Sequence, residues 1–72
     1  MNPKDWIKKA NEDLLVAKHI INISPTNSTY HSQQAVEKYL KAFLIINNIE
    51  PPKTHNIYHL LRLCIDIDLL LK

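Results

Sequence analysis

Three polar side chains, Gln34, Lys38 and Lys41, follow one another at intervals of four and three residues, and His31 lies near the same line. On a helix, this spacing places them along one side. Two ammonium groups and an amide in a row can hold a phosphate and hydrogen-bond a base edge or a ribose. An ordinary solvated face is the alternative, and a Glu37–Lys41 pair worth about 0.2–0.5 kcal/mol explains part of the pattern without any ligand.

The remaining reactive side chains form no recognisable catalytic or metal motif. His55 and His59 stand four residues apart, a spacing at which two imidazoles can share a metal ion, but no further ligand follows at a suitable distance. Capping is the more economical role for Thr54 and His55. A chain without glycine contains neither a P-loop nor a nucleophile elbow. We therefore predict no catalytic residue, no metal site and no cofactor.

The composition favours one small helical domain spanning residues 1–72. The 72 residues are 46% hydrophobic and 22% charged, which is unlike a disordered segment, and the absence of glycine disfavours a turn-rich β fold. A net charge of +2 is too small to indicate nucleic-acid binding by itself. The lone Cys64, the lack of a signal-peptide pattern and the lack of an apolar run of about 18 residues predict a cytoplasmic protein without a membrane span.

Local signals predict three helices, over residues 3–23, 28–48 and 55–71. Asn2 is a good N-cap and Pro3 suits the first helical position. The cap-forming stretch 24–28 ends the first helix and starts the second, so these two helices should form an antiparallel hairpin. Asn47 and Asn48 can close the second helix, and the two prolines that follow prevent its resumption.

The second predicted helix has two unlike faces at 100° per residue. Its apolar face, which we expect to meet a core, contains Ala35, Val36, Tyr39, Leu40, Ala42, Phe43 and Ile46. Its polar face, which we expect to meet water or a ligand, contains Gln33, Gln34, Glu37, Lys38 and Lys41. The first and third helices carry more apolar surface than one neighbour can cover. We therefore expect a homodimer or a larger homo-oligomer.

Three blocks of sequence, in this order, resemble the HEPN family (higher eukaryotes and prokaryotes nucleotide-binding domain). They are Asp13-Leu14 with Ala17, the run YHSQQAVEKYLKA over residues 30–42, and PKTHNI over residues 52–57 with Leu60-Leu61. The resemblance covers roughly residues 6–63. It implies an all-α, HEPN-like antiparallel bundle that usually dimerises. Many prokaryotic members are encoded beside a minimal nucleotidyltransferase, and some are toxins that cleave RNA.

The resemblance also bears on the candidate residues. The QQAVEK block is associated with a nucleotide groove in the family, so the predicted nucleotide- or phosphate-binding residues are Gln34, Lys38, Lys41 and His55. Ribonuclease-active members carry an Arg followed four to six residues later by a His. Arg62 is the only arginine here, and no histidine follows His59. The family's later helices do not follow either, so we expect a domain that is incomplete at its C-terminal end.

Three functional hypotheses follow. The leading one is a HEPN-like nucleotide- or RNA-binding protein of a toxin–antitoxin or nucleotidyltransferase-linked pair, without a ribonuclease motif of its own. The alternative is a structural helical module for oligomerisation or protein interaction, with no ligand. In the third, a neighbouring chain supplies the missing Arg and His and restores ribonuclease action in a complex. None of the three requires a cofactor or a membrane.

Overall fold

The computed structural model describes residues 2–70. Its secondary structure consists of three α-helices, α1 (Pro3–Ile20), α2 (Pro25–Ile46) and α3 (Ile57–Leu70), and no strand occurs among the described residues. The predicted all-α class, a helical hairpin with a third helix, is confirmed. None of these helices combines the length and the apolar composition needed to cross a lipid bilayer.

The first helix begins as predicted and ends earlier than predicted. The Asp5 N–H donates to Asn2 Oδ1 at 3.1 Å, so Asn2 is the N-cap, and Pro3 occupies the first helical position. The predicted end at residue 23 is wrong, because the backbone N–H groups of Ile23 and Ser24 both turn back to the carbonyl of Ile20, at 3.0 and 2.7 Å. A tight turn replaces the last predicted turn of helix.

The second helix begins three residues before the predicted Ser28. Pro25 occupies its first position, where a fixed φ angle suits a helix and the missing N–H costs nothing. Ser28 therefore lies inside α2 and is buried, and its hydroxyl donates to the carbonyl of Ala17 at 2.8 Å. It links the two helices instead of capping one. At the other end, α2 stops at Ile46, and Asn48 takes the predicted left-handed conformation with φ 62°.

The third helix begins at Ile57, two residues after the predicted start. Asn56 caps it, because its Oδ1 accepts the backbone N–H of His59 at 3.2 Å. Thr54 holds the turn before this cap, because its hydroxyl accepts the backbone N–H of Asn56 at 3.1 Å. The predicted end of this helix at residue 71 lies outside the described residues.

Small side chains bring α1 and α2 together. The buried residues of this interface repeat every seven positions: Ala10 and Ala17 on α1, and Ser28, Ala35 and Ala42 on α2. Alanine and serine allow two helix backbones to approach closely, and the seven-residue repeat keeps one seam in contact over several turns. The Tyr39 hydroxyl also donates to Asn11, near the middle of the hairpin. These pairings run in opposite directions along the two helices, as predicted for an antiparallel hairpin.

The larger apolar side chains are buried between α2 and α3. Leu44 and Leu60 are fully buried, Cys64 and Ile67 join them, and Leu40, Phe43 and Leu63 pack around this core. Burial raises the pKa of the Cys64 thiol, which is free and buried as the sequence predicts.

Among the described residues, α1 and α3 each contact α2 and do not contact each other. The space between them leaves part of the predicted apolar face of α2 uncovered. The expectation that the whole face meets a core is therefore wrong for Val36 and Ile46, whose exposed fractions are 44% and 60%.

Candidate functional site

The polar side of α2 is partly covered by other segments of the chain. Glu37 and Lys41, which the sequence places on a face open to water or ligand, are only 4% and 7% exposed. His55, from the connector between α2 and α3, and Trp6, from the start of α1, both contact this pair. The expectation of an open polar face is therefore wrong at these two positions, because the connector folds back across it.

Glu37 is the centre of the first polar cluster. Its Oε1 lies 2.9 Å from His55 Nδ1, and its Oε2 lies 3.6 Å from Lys41 Nζ. The Lys41 ammonium in turn lies 5.3 Å from the centroid of the Trp6 ring, at cation–π distance. One buried carboxylate therefore holds a lysine of its own helix and a histidine of the connector, and it ties the connector to α2.

Asp13 is the centre of a second polar cluster, between α1 and α2. Its carboxylate accepts a hydrogen bond from Lys38 and lies 3.2 Å from His31 Nδ1. Burial raises the pKa of the Asp13 carboxyl, but the hydrogen bonds and the positive charge of Lys38 and His31 outweigh burial and bring this pKa below its usual value. The ionised carboxylate is therefore favoured in the folded chain.

An Asp13→Asn variant should lose the stability that this carboxylate supplies. Because the folded-state pKa is lowered, that contribution is present above the unfolded pKa of about 3.9 and disappears as the pH falls through the folded value. We expect the variant to lose about 1.5–3 kcal/mol of unfolding free energy at pH 7, the usual size for hydrogen bonds to a charged group. The difference from the unmodified chain should shrink toward zero in strong acid.

Urea denaturation at a series of pH values measures this difference directly. Asp66→Asn is the matched control, since its carboxylate is half-exposed and pairs with Arg62 of its own helix. A constant difference between the Asp13 variant and the unmodified chain at every pH would contradict the assignment.

The structure places the four predicted binding residues along one side of α2 and the adjacent connector. Lys38 contacts Asp13, Lys41 and His55 contact Glu37, and Gln34 is partly buried on the same helix. His31 joins this set through Asp13. Their binding role remains a prediction. Their geometry adds that two carboxylates, Asp13 and Glu37, hold all four ionisable groups of this set, so the lysine ammonium groups are positioned and partly neutralised.

A cleft of about 440 Å³ opens beside Lys41. We call it the Trp6 cleft; its lining residues are Trp6, Lys41, Ile45, Asn48, Ile49, Glu50, Pro51, Pro52 and Lys53. Trp6 comes from the first turns of α1, Lys41 from α2, and the far wall from the connector. The left-handed turn at Asn48 sends the connector back across the end of α2, which closes this side of the cleft.

Sequence reasoning missed the connector side of this cleft. Trp6 is an aromatic residue at helical spacing, which indicates a core residue, yet it is only half-buried and lines the opening. Lys53 follows the proline pair directly, so a cation next to a rigid segment was the signal available in the sequence. Neither residue could be assigned to a common site without knowing how the connector folds.

The two spaced histidines do not form a metal site in the described chain. His55 lies against Glu37, whereas the backbone N–H of His59 binds the Asn56 side chain. Within residues 2–70, no three side chains of His, Cys, Asp or Glu lie together in a way that could hold a metal ion.

Comparison with known proteins decides the family. The family model for the HEPN domain matches residues 3–71. The chain belongs to the HEPN family. A Methanocaldococcus jannaschii protein named "Putative toxin MJ1304" is 53% identical over 47 residues, which are 64% of this chain and 31% of that protein. The matched part therefore spans less than a third of this relative. No solved structure matches the chain.

The HEPN ribonuclease pattern is not formed around Arg62. The Arg62 Nε lies 3.3 Å from Asp66 Oδ1, one turn further along α3, and both side chains are largely exposed. The residue types four to six positions after this arginine are Asp, Ile and Asp, where ribonuclease-active HEPN members have a histidine. Arg62 therefore forms a surface ion pair within α3, of the kind that contributes little to stability.

Proposed function

We propose that this chain is a cytoplasmic, toxin-like HEPN protein that binds a nucleotide or RNA and works with a partner, either in a toxin–antitoxin pair or with a minimal nucleotidyltransferase. The proposal assigns binding to this chain and no cleavage step, and no Arg–His pattern occurs within these 72 residues. The relative's name describes a toxin, and the matched segment is 31% of that protein. The activity and the partner are therefore part of the proposal.

One observation carries the binding proposal. Two lysines and two histidines follow one side of the α2 region, and Asp13 and Glu37 hold these four groups in place: His31, Lys38, Lys41 and His55. An ammonium that is already oriented loses less side-chain freedom when it binds a phosphate. The two carboxylates reduce the net attraction for a polyanion, so this row favours a few local phosphate contacts over strong nonspecific binding.

The second candidate function, a structural interaction module, is supported by the surface of the chain. The accessible area is 5340 Å², whereas a compact monomer of 8.4 kDa exposes about 4,600 Å². The surplus of roughly 700 Å² is close to the area of about 800 Å² that each partner buries in a standard interface.

Exposed apolar side chains line the outer side of α3 at intervals of three, four and four residues: Tyr58, Leu61, Ile65 and Leu69. We propose that a second copy of the chain covers this surface, as the predicted homo-oligomer requires.

A single pair of measurements separates the two functions. A labelled single-stranded RNA is titrated by fluorescence anisotropy at several salt concentrations, and the same samples are examined by sedimentation velocity. We expect the logarithm of the RNA-binding constant to fall linearly with the logarithm of the salt concentration, with a slope of about −1.4. Two lysines contact phosphates, and each contributes about −0.7 on single strands. We expect a sedimenting mass of twice 8.4 kDa.

The variant Lys38→Gln/Lys41→Gln removes both charges but keeps a hydrogen-bond donor for Asp13 and Glu37, and it should remove most of this binding. Lys9→Gln/Lys18→Gln, two exposed lysines of α1, is the matched control, and circular dichroism checks that both variants are folded. If the first variant binds RNA as the control does, the nucleotide-binding proposal is wrong. An oligomer that persists in both variants without any RNA binding supports the interaction module instead.

A further inference from the structure

We propose that the Trp6 cleft is a binding site for a small organic anion, in which a phosphate or carboxylate group is attached to a flat apolar body. The inference rests on the proposed function only through Lys41, which belongs to both sites, and a nucleoside monophosphate is one anion of this class. The site itself is set by α1, the end of α2 and the connector, and it lies to one side of the Lys38–Asp13 contact.

The size of the cleft suits such a ligand. Small-molecule sites in proteins enclose about 300–1,000 Å³, and the Trp6 cleft encloses about 440 Å³. Its far wall contains two consecutive prolines, Pro51 and Pro52, whose fixed φ angles make that wall stiff. Asn48 and Glu37 hold the two ends of the connector, through the left-handed turn and through His55. The cleft is therefore formed before a ligand arrives.

Charge in the cleft favours an anion. Lys41 and Lys53 line it together with one carboxylate, Glu50, and the Glu37 carboxylate contacts Lys41 from outside the lining, so an anion in the cleft would meet two ammonium groups and one carboxylate. The Lys41 ammonium is almost fully buried, and its nearest carboxylate oxygen in Glu37 is 3.6 Å away, beyond normal hydrogen-bond length. An ammonium has three N–H donors. Lys41 can therefore donate to a ligand anion while its charge remains compensated by Glu37.

The remaining walls favour a flat apolar body. Ile45, Ile49 and the two prolines supply aliphatic surface next to the Trp6 indole. The Trp6 Nε1 is buried and has no hydrogen-bond partner among the described residues. An N–H group left in this state is costly, so the part of Trp6 that lines the cleft is its apolar ring surface. A ligand with one anionic end and an aromatic or aliphatic body fits both halves of this lining.

The chain contains a built-in probe, because Trp6 is its only tryptophan. Its emission is followed while AMP, adenosine, inorganic phosphate or benzoate is added to the intact chain. We expect AMP and benzoate to change the emission in a saturable manner. Adenosine, which lacks the charge, and inorganic phosphate, which lacks the apolar body, should cause no saturable change. Saturation by AMP alone assigns the site to phosphate esters, and saturation by benzoate alone assigns it to carboxylates. No saturable change with either anion overturns the inference.

Variants locate the binding. Lys53→Ala removes an exposed cation of the cleft without touching the core, and we expect it to weaken AMP binding by about five-fold, as for one charge-assisted contact. Trp6→Phe, followed by calorimetry, should also weaken binding, while Lys18→Ala on the far part of α1 should leave it unchanged. If AMP binds equally to the Lys53 and Lys18 variants but is lost on Lys38→Ala, the cleft assignment is wrong and the proposed nucleotide function survives.

The opposite pattern is equally informative. AMP or benzoate binding that depends on Lys53, together with an absence of RNA binding, retains the cleft as a small-anion site and removes RNA from the proposed function.

Discussion

A Glu37→Ala variant should lose about 3–5 kcal/mol of its free energy of unfolding, the usual cost of removing one partner from a buried ion pair. Glu37 is 4% exposed and contacts both Lys41 and His55, so its removal leaves the Lys41 ammonium buried without a carboxylate. A chain of this length has a total stability of roughly 4–11 kcal/mol. The loss is therefore a large share of the total stability, and we expect a marked fall in the midpoint of urea denaturation followed by circular dichroism.

Two further variants identify the cause. Glu12→Ala removes an exposed carboxylate of α1 and should change stability by less than about 0.5 kcal/mol. Glu37→Met/Lys41→Met replaces the whole pair with apolar side chains of similar length, and it should recover much of the lost stability because no buried charge remains. If the double variant is as unstable as Glu37→Ala, the loss comes from packing or from the His55 contact instead of from an uncompensated lysine.

The existence of the three helices and two of their ends could be predicted from the sequence because the signals are local. Asn2 and Pro3 define the start of α1 through contacts within one turn, and Asn48 ends α2 through its own backbone conformation. The start of α2 was misplaced because five consecutive residues can each cap or begin a helix. The choice of Pro25 over Ser28 depends on the buried hydrogen bond from Ser28 to Ala17, which lies 11 residues away in the sequence.

The candidate site was less accessible, since its contacts join distant parts of the chain. Lys38 and Asp13 are 25 residues apart, and His55 and Glu37 are 18 residues apart. Helical periodicity predicts that the polar side of a helix is exposed to water, because it takes no account of segments outside that helix. The connector that covers Glu37 and Lys41 has no periodicity of its own, so its path could not be predicted from spacing.

The small-residue seam between α1 and α2 could be predicted from the sequence only in part. Its signal was present, because Ala10 and Ala17, like Ala35 and Ala42, are seven residues apart. The apolar pattern of the second helix places Ala35 and Ala42 on the core face together with larger residues such as Val36, and the pattern alone does not rank their burial. The structure instead puts alanine where the backbones meet and leaves larger side chains such as Leu14, 37% exposed, at the edge of the seam. Close helix contact therefore explains why the most hydrophobic positions of α1 are not its most buried.

The neighbouring residues Leu60 and Leu61 provide a matched test of which side of α3 packs on α2. Leu60 is fully buried against Leu44, Cys64 and Ile67, whereas Leu61 is 42% exposed. We expect Leu60→Ala to lower the free energy of unfolding by about 2–5 kcal/mol, through the lost burial and the cavity that remains. Leu61→Ala should lower it by less than about 1 kcal/mol in the isolated chain, since its side chain already meets water there.

Protein concentration separates the isolated chain from an assembly. At high dilution the difference between the two leucine variants should be greatest. At concentrations where a second copy covers the outer side of α3, Leu61→Ala should become the more harmful for assembly, because the stabilisation by a partner depends on its concentration. Equal destabilisation by the two variants at every concentration would mean that both sides of α3 are buried within one chain, in conflict with the packing of α3 against α2 alone.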